Sequence, residues 1–320
     1  MLRTILIYLS QADWMRRLVM GFGLSRRVAR RFVAGETLEE AVDVVRELNQ
    51  AGMVATMDQL GEHTERPEQA VNTTENILKI LDAIETSGIK SGLSVKLTQI
   101  GLGMDNALCE RNLAQILASA AEKGLFVRID MEDFACLEPT LSMYWKMRRD
   151  HHFGNVGMVI QSYLYRSEED TARLLEADTR IRLVKGAYKE PPEVAYPDKK
   201  DVDAAFDRIT ALLLEHARQP ESPELSQEGR WPPVTALGTH DDARINYGIE
   251  YAREHGIPKG KLEIQMLYGI RRDLQQTLAA QGYPVRIYVP FGTDWYPYFM
   301  RRLAERPANL WFFISSLFRN

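Results

Sequence analysis

Two adjacent arginines, Arg301 and Arg302, with Glu305 within side-chain reach of both, form the most specific chemical group in this sequence. A guanidinium binds a carboxylate through a planar fork, so a pair on one helix can grip and orient a small carboxylate. The plainer reading is an arginine-rich solvent face laced with ion pairs. Other ionisable or amide residues stand where apolar runs end: Asp58, Lys96, Asp130, Gln161, Thr239-His240 and Tyr288. Arg182 is followed by Lys185-Gly186-Ala187-Tyr188, and Glu263 and Gln265 share one run. Singly, such a lysine is a solvated charge and such an aspartate a helix cap. Together they would cost several kcal/mol each to bury unless they pair, and a large polar ligand in one shared mouth accounts for them better.

A shared mouth requires elements that bring these ends together. Eight short apolar runs recur at Met53–Met57, Leu93–Leu97, Phe126–Asp130, Gly157–Gln161, Ile181–Lys185, Val234–Gly238, Leu262–Met266 and Arg286–Val289. Between them lie helix-period segments: Glu68–Thr86, Asn106–Glu122, Pro139–Arg149, Ser167–Glu176, Val202–Arg218, Asp241–His255 and Arg271–Gln281. Eight alternating βα units predict an α/β fold, a parallel (β/α)8 TIM-type barrel, whose chemistry sits at the C-terminal strand ends. Lys96 has the opposite parity to Leu93, Val95 and Leu97, so it should face inward, and Arg128, Asp130 and Glu132 share one face. In the last run Val285, Ile287 and Val289 alternate with Arg286 and Tyr288. Pro290 and Gly292 should break that strand, and Thr293 or Asp294 can cap the arginine helix. Helices at Arg3–Phe22, Ser25–Val33 and Thr37–Ala51 precede the pattern, giving an N-terminal helical arm (1–51) and a barrel (52–320). The proline-rich Gln219–Pro233 reads as a mobile surface loop. Gly101-Leu-Gly103 is an isolated pair, not a dinucleotide-binding fingerprint.

Composition narrows the function. A net charge of −4 without a basic stripe gives no nucleic-acid surface. Cys109 and Cys136 make neither a disulfide framework nor a metal set, and no His-Glu-x-x-His occurs, so no metal is expected. The N-terminal apolar run stops at Ser10 and Asp13 and is followed by Arg16-Arg17, which reads as an amphipathic helix rather than a signal peptide. A cytoplasmic protein is expected. The apolar tail Leu310–Phe318 is too short to span a bilayer. It packs on the barrel or makes a peripheral contact with the inner face of the cell membrane.

Ser94-Val-Lys96-Leu, Arg182-Leu-Val-Lys-Gly-Ala-Tyr188, Thr239-His240 and Arg301-Arg302-Leu-Ala-Glu305 with Ala308-Asn309 occur in this order. Together they resemble the proline dehydrogenase family in its small monofunctional bacterial form, over about Gly52 to Asn309. The resemblance implies a distorted barrel that holds FAD, oxidises L-proline to Δ1-pyrroline-5-carboxylate and passes electrons to a membrane quinone. A pyrroline-5-carboxylate dehydrogenase would be a further partner. It implies Lys96, Tyr288, Arg301 and Arg302 around the substrate, the arginines on its carboxylate, and Asp130 and Arg182 in catalysis. The FAD site would comprise Arg182 with Met131, Gln161, Lys185, Gly186, Ala187, Tyr188, Thr239 and His240. Lys189 stands where some members carry an aromatic residue, and Val202 where others carry Thr, so contacts at both positions differ from theirs.

Two other readings stay open at this stage. A class I aldolase-like lyase would use Lys96 or Lys185 as a Schiff-base nucleophile, which needs a depressed lysine pKa. A non-catalytic flavin- or amino-acid-binding barrel would use the same pocket without turnover.

Overall fold

The computed structural model describes residues 29–61 and 64–305, with side chains through Met300. The expected helix Arg3–Phe22, most of Ser25–Val33 and the tail Leu310–Phe318 lie outside the described residues. Strands β1 (Val54–Gln59), β2 (Ser91–Val95), β3 (Val127–Ile129), β4 (Val156–Gln161), β5 (Ile181–Val184), β6 (Thr235–Gly238), β7 (Leu262–Leu267) and β8 (Val285–Phe291) close into a barrel in sequence order. Every neighbouring pair is parallel. The seam pairs β1 with β8 from Val54↔Arg286 to Gln59↔Phe291. The helices are α1 (Leu38–Gln50), α2 (Pro67–Ser87), α3 (Asn106–Glu122), α4 (Phe134–Arg149), α5 (Ser167–Leu175), α6 (Lys199–Ala217), α7 (Asp242–Glu254), α8 (Arg272–Ala280) and α9 (Trp295–Glu305).

Periodicity explains their packing. In α2, Ala70, Thr74, Ile77, Leu81 and Ile84 recur at three- and four-residue steps and are buried against the strands. Each large apolar side chain so buried contributes about 1.5–3 kcal/mol. Helix α1 buries Ala41 and Val45 in the same core. A second cluster joins Phe32 and Val33 to Trp295, Tyr296 and Phe299 and seats α9 at the barrel mouth. Trp295 Nε1 donates to Glu36 Oε1 at 3.1 Å, and Ala34 N to the Pro290 carbonyl at 2.8 Å.

Four expectations are corrected. Strand β2 ends two residues early, because Leu97–Ile100 forms a 3₁₀ turn closed by Gly101 at φ +118°. Lys96 therefore stands just past its strand. Strand β8 runs through Pro290 to Phe291: the ring lacks a donor, but the Pro290 carbonyl is used by Ala34. Helix α4 starts at Phe134 rather than Pro139, because Asp133 caps it by accepting from Cys136 N. Residues 219–228 lie mostly at the surface as expected, but 229–233 pack under the barrel, where the Gly229 and Pro232 carbonyls accept from Arg286 and Arg180. Trp231 donates to the Gly124 carbonyl at 2.8 Å and lies 5.6 Å from the Phe126 ring, and Pro232 is buried.

Candidate active site

The inward residues of the upper barrel form one hydrogen-bonded network. Asp58, at the end of β1, is 1% exposed and accepts from Lys96 Nζ at 2.8 and 3.0 Å. The same ammonium lies 3.4 Å from the Tyr288 hydroxyl, which donates to Asp130 Oδ2 at 2.7 Å. Asp130 Oδ1 accepts from Arg182 Nη1 at 2.7 Å. Arg182 Nη2 reaches Ser94 Oγ at 3.1 Å, its Nε bonds Gln265 Oε1, and its guanidinium lies 5.3 Å from the Tyr288 ring centre. Below, Gln265 Nε2 donates to Glu263, which receives Arg286 Nε and Nη2 at 2.9 and 3.0 Å.

Burial sets the charge states here. It raises the Asp58 carboxyl pKa, with Asp130 adding to the rise, against the lowering pull of Lys96. Burial opposes charge on Lys96, but Asp58 and Asp130 outweigh it and hold its pKa above the usual lysine value. Burial, then Asp130 and Asp58, push the Tyr288 phenol well above its ordinary range, so it stays a donor at neutral pH.

The structure brings Lys96, Asp130, Arg182 and Tyr288 together as expected. Their charges need less from a ligand than the sequence suggested, because Asp58 pairs with Lys96, Asp130 with Arg182 and Glu263 with Arg286. Arg301 and Arg302 lie in the second half of α9, the helix that follows β8, and their side chains are outside the described residues.

The remaining expected positions line the rim. Gln161, 3% exposed at the end of β4, donates to the Met131 and Glu132 carbonyls at 3.4 and 3.1 Å, while its Oε1 has no partner. Lys185 Nζ sits between Asp203 and Asp241 at 2.5 Å from each. Burial opposes ionisation of both carboxyls, but Lys185 and Lys199 hold their pKa values below the usual range. Gly186 has φ +115°, and a Cβ there would meet the Tyr163 ring at 2.4 Å. Ala187 and Tyr188 are exposed, and Thr239 is buried beyond β6. His240 Nε2 accepts from Leu267 N at 2.9 Å, which leaves the ring proton on Nδ1. Gln265 was read among the polar strand-end residues and Ser94 within a motif, but neither was given a role; inward parity on β2 and β7 places both beside Arg182.

A family model described as "Proline dehydrogenase" matches residues 41–314. "Proline dehydrogenase 1" of Bacillus subtilis subsp. natto is 42% identical over 319 residues, which covers 100% of both chains. "Proline dehydrogenase" of Deinococcus radiodurans is 41% identical over 295 residues, 91% of this chain and 90% of that one. Among solved structures, proline utilization A (PutA) from Bdellovibrio bacteriovorus, inactivated by N-propargylglycine, aligns with TM-score 0.78 and 27% identity. That match covers 88% of this chain and 33% of the larger one.

Proposed function

The chain belongs to the proline dehydrogenase family, oxidoreductases of proline catabolism, and on that premise we propose that it oxidises L-proline to Δ1-pyrroline-5-carboxylate with bound FAD as hydride acceptor. The observation that carries the reading is the network from Lys96 through Tyr288 and Asp130 to Arg182, at the strand ends that lead into the helix bearing Arg301 and Arg302.

The rim residues suit a flavin. The unpartnered, buried Gln161 Oε1 is an acceptor for an imide N–H, and Gly186 lets the backbone come close to a flat ring system. Arg182, Lys185, the Gly186–Tyr188 backbone, Met131, Thr239 and His240 would hold it. Bound flavin supplies a two-electron acceptor. Arg182, fixed by Asp130, Ser94 and Gln265, offers a prearranged positive charge that favours an acceptor gaining negative charge. Arg301 and Arg302 take the substrate carboxylate and orient the ring, with Lys96 and Tyr288 below. These four residues and Arg182 set four cations against Asp58 and Asp130. That excess lowers the pKa of an amine bound among them and frees its lone pair to form the C=N bond as hydride leaves.

The Schiff-base alternative needs a lysine of depressed pKa. Lys96 is shifted the other way by two carboxylates, and Lys185 is clamped by Asp203 and Asp241. Electrons pass on to a membrane quinone and the product to a pyrroline-5-carboxylate dehydrogenase. No helix among the described residues is long and apolar enough to cross a membrane. A peripheral contact, if the tail does not pack on the barrel, would use the apolar segment 310–318. The deciding experiment is anaerobic addition of L-proline to purified protein while following flavin absorbance. Bleaching is expected, with free FAD released on denaturation. A coloured protein that proline does not bleach is a binder, and a colourless one is not a flavoenzyme.

A further inference from the structure

The lower half of the barrel holds charge that the chemistry at the mouth does not use. Arg128 on β3 and Arg286 on β8 are each 2% exposed. Arg286 is matched by Glu263 and Arg182 by Asp130. Arg128 has no carboxylate partner among the described residues. Its Nη1 donates to the Met158 carbonyl at 3.1 Å and to the Arg180 carbonyl, and its Nη2 finds no acceptor among the described residues. Burial, with Arg182 and Arg286, pulls its pKa well below the usual arginine value; Glu263 and Asp130, each paired with another arginine, oppose this only in part, and a guanidinium does not give up its proton in a protein. An uncompensated buried charge costs several kcal/mol.

The guanidinium is nevertheless held in place. A Cβ at Gly157 would stand 2.5 Å from the Phe126 ring and 3.0 Å from Arg128 Nη1, so the glycine makes room for both. Arg128 lies over the Phe126 ring at 5.1 Å. Beside it is a cavity of about 10 Å³ whose walls include Arg128, Arg182, Arg230 and Arg286 and no Asp or Glu. That volume admits one particle about the size of a water molecule. It excludes polyatomic anions such as phosphate or a carboxylate.

We propose that this arginine-walled cavity binds a single halide ion, chloride in the cell, as the counter-charge of Arg128. Water would satisfy Nη2 but would leave the charge uncompensated. The segment carrying Arg230 borders the cavity from below, where Arg230 and Trp231 are tied to the Lys123 and Gly124 carbonyls.

The test uses the full-length purified protein at constant ionic strength, replacing potassium gluconate with potassium chloride or bromide. The melting temperature should rise saturably by about 2–4 °C, the linkage expected of a ligand that binds only the folded state. Arg128→Gln, which keeps an amide donor but loses the charge, should abolish the rise. A rise that persists in this variant overturns the proposal, as does a wild-type melting temperature that does not respond to halide. Should Arg128→Gln fail to fold, crystals of the wild type in bromide decide. An anomalous peak within contact of Arg128 is expected, and a site occupied by water alone in bromide overturns the halide.

Discussion

Lys96 is the residue on which the mouth of the barrel balances. Lys96→Met leaves Asp58 buried without its cation and should cost about 3–5 kcal/mol in denaturant unfolding, most of it recovered in Lys96→Met/Asp58→Asn. A single variant as stable as wild type would mean that the pair is not formed. Lys96 and Tyr288 both hold their protons more tightly in the fold than at their ordinary values of 10.5 and 10.0. Their contributions are therefore complete below those values and are lost as pH rises through the higher folded-state values. Melting temperature should fall steeply above pH ~10, and less steeply in Tyr288→Phe. For the arginine pair, Arg301→Met or Arg302→Met should lower kcat/KM by roughly 30- to 1000-fold, about 2–4 kcal/mol, with flavin content unchanged. Arg→Lys should rescue only part, since an ammonium lacks the fork. Flavin lost together with activity would move the pair from substrate to cofactor. Lys96, Asp130, Arg182 and Tyr288 were legible because a strand's parity and end are local properties. The Asp58–Lys96 and Arg182–Gln265 bonds were not, since they depend on how far each strand rises around the closed barrel.

Among the elements, the turn after β5 is tightly constrained. Gly186→Ala meets both a backbone at φ +115° and the Tyr163 ring, so flavin occupancy and melting temperature should drop together. Adding Tyr163→Ala should relieve the collision but not the backbone strain, giving partial recovery. A fully occupied, unshifted Gly186→Ala would remove this turn from the cofactor site. All eight strands and the helices between them were readable from period and punctuation, because each run is short, apolar and bounded. Apart from the early end of β2, the misses share a cause: proline and polar residues were treated as breaks. Pro139 lies inside α4, Pro290 inside β8, and 229–233 packs beneath the barrel. In each case a tertiary partner or a capping side chain supplies what the local signal lacks.

At the scale of the molecule, side chains inside the barrel tie together strands that are not neighbours. Tyr288 of β8 reaches Asp130 beyond β3, and Arg182 of β5 reaches both Ser94 of β2 and Gln265 of β7. Such bonds have their geometry only in a closed ring, and closure depends on the β1–β8 seam. Arg286 also bonds the Ala55 carbonyl from 231 residues away in the chain. That distance has a consequence during synthesis. A growing chain on the ribosome exposes seven strands and their charged inward faces before the eighth can arrive, and long-range pairing of this kind is slow and open to aggregation. Nascent chains stalled before β8 has left the exit tunnel should be cut readily by protease, and those stalled after it should resist. Resistance before β8 emerges would show that a partial barrel stands alone. Otherwise the interior charges stay hydrated until β8 emerges, and that interval is when the chain is most open to aggregation.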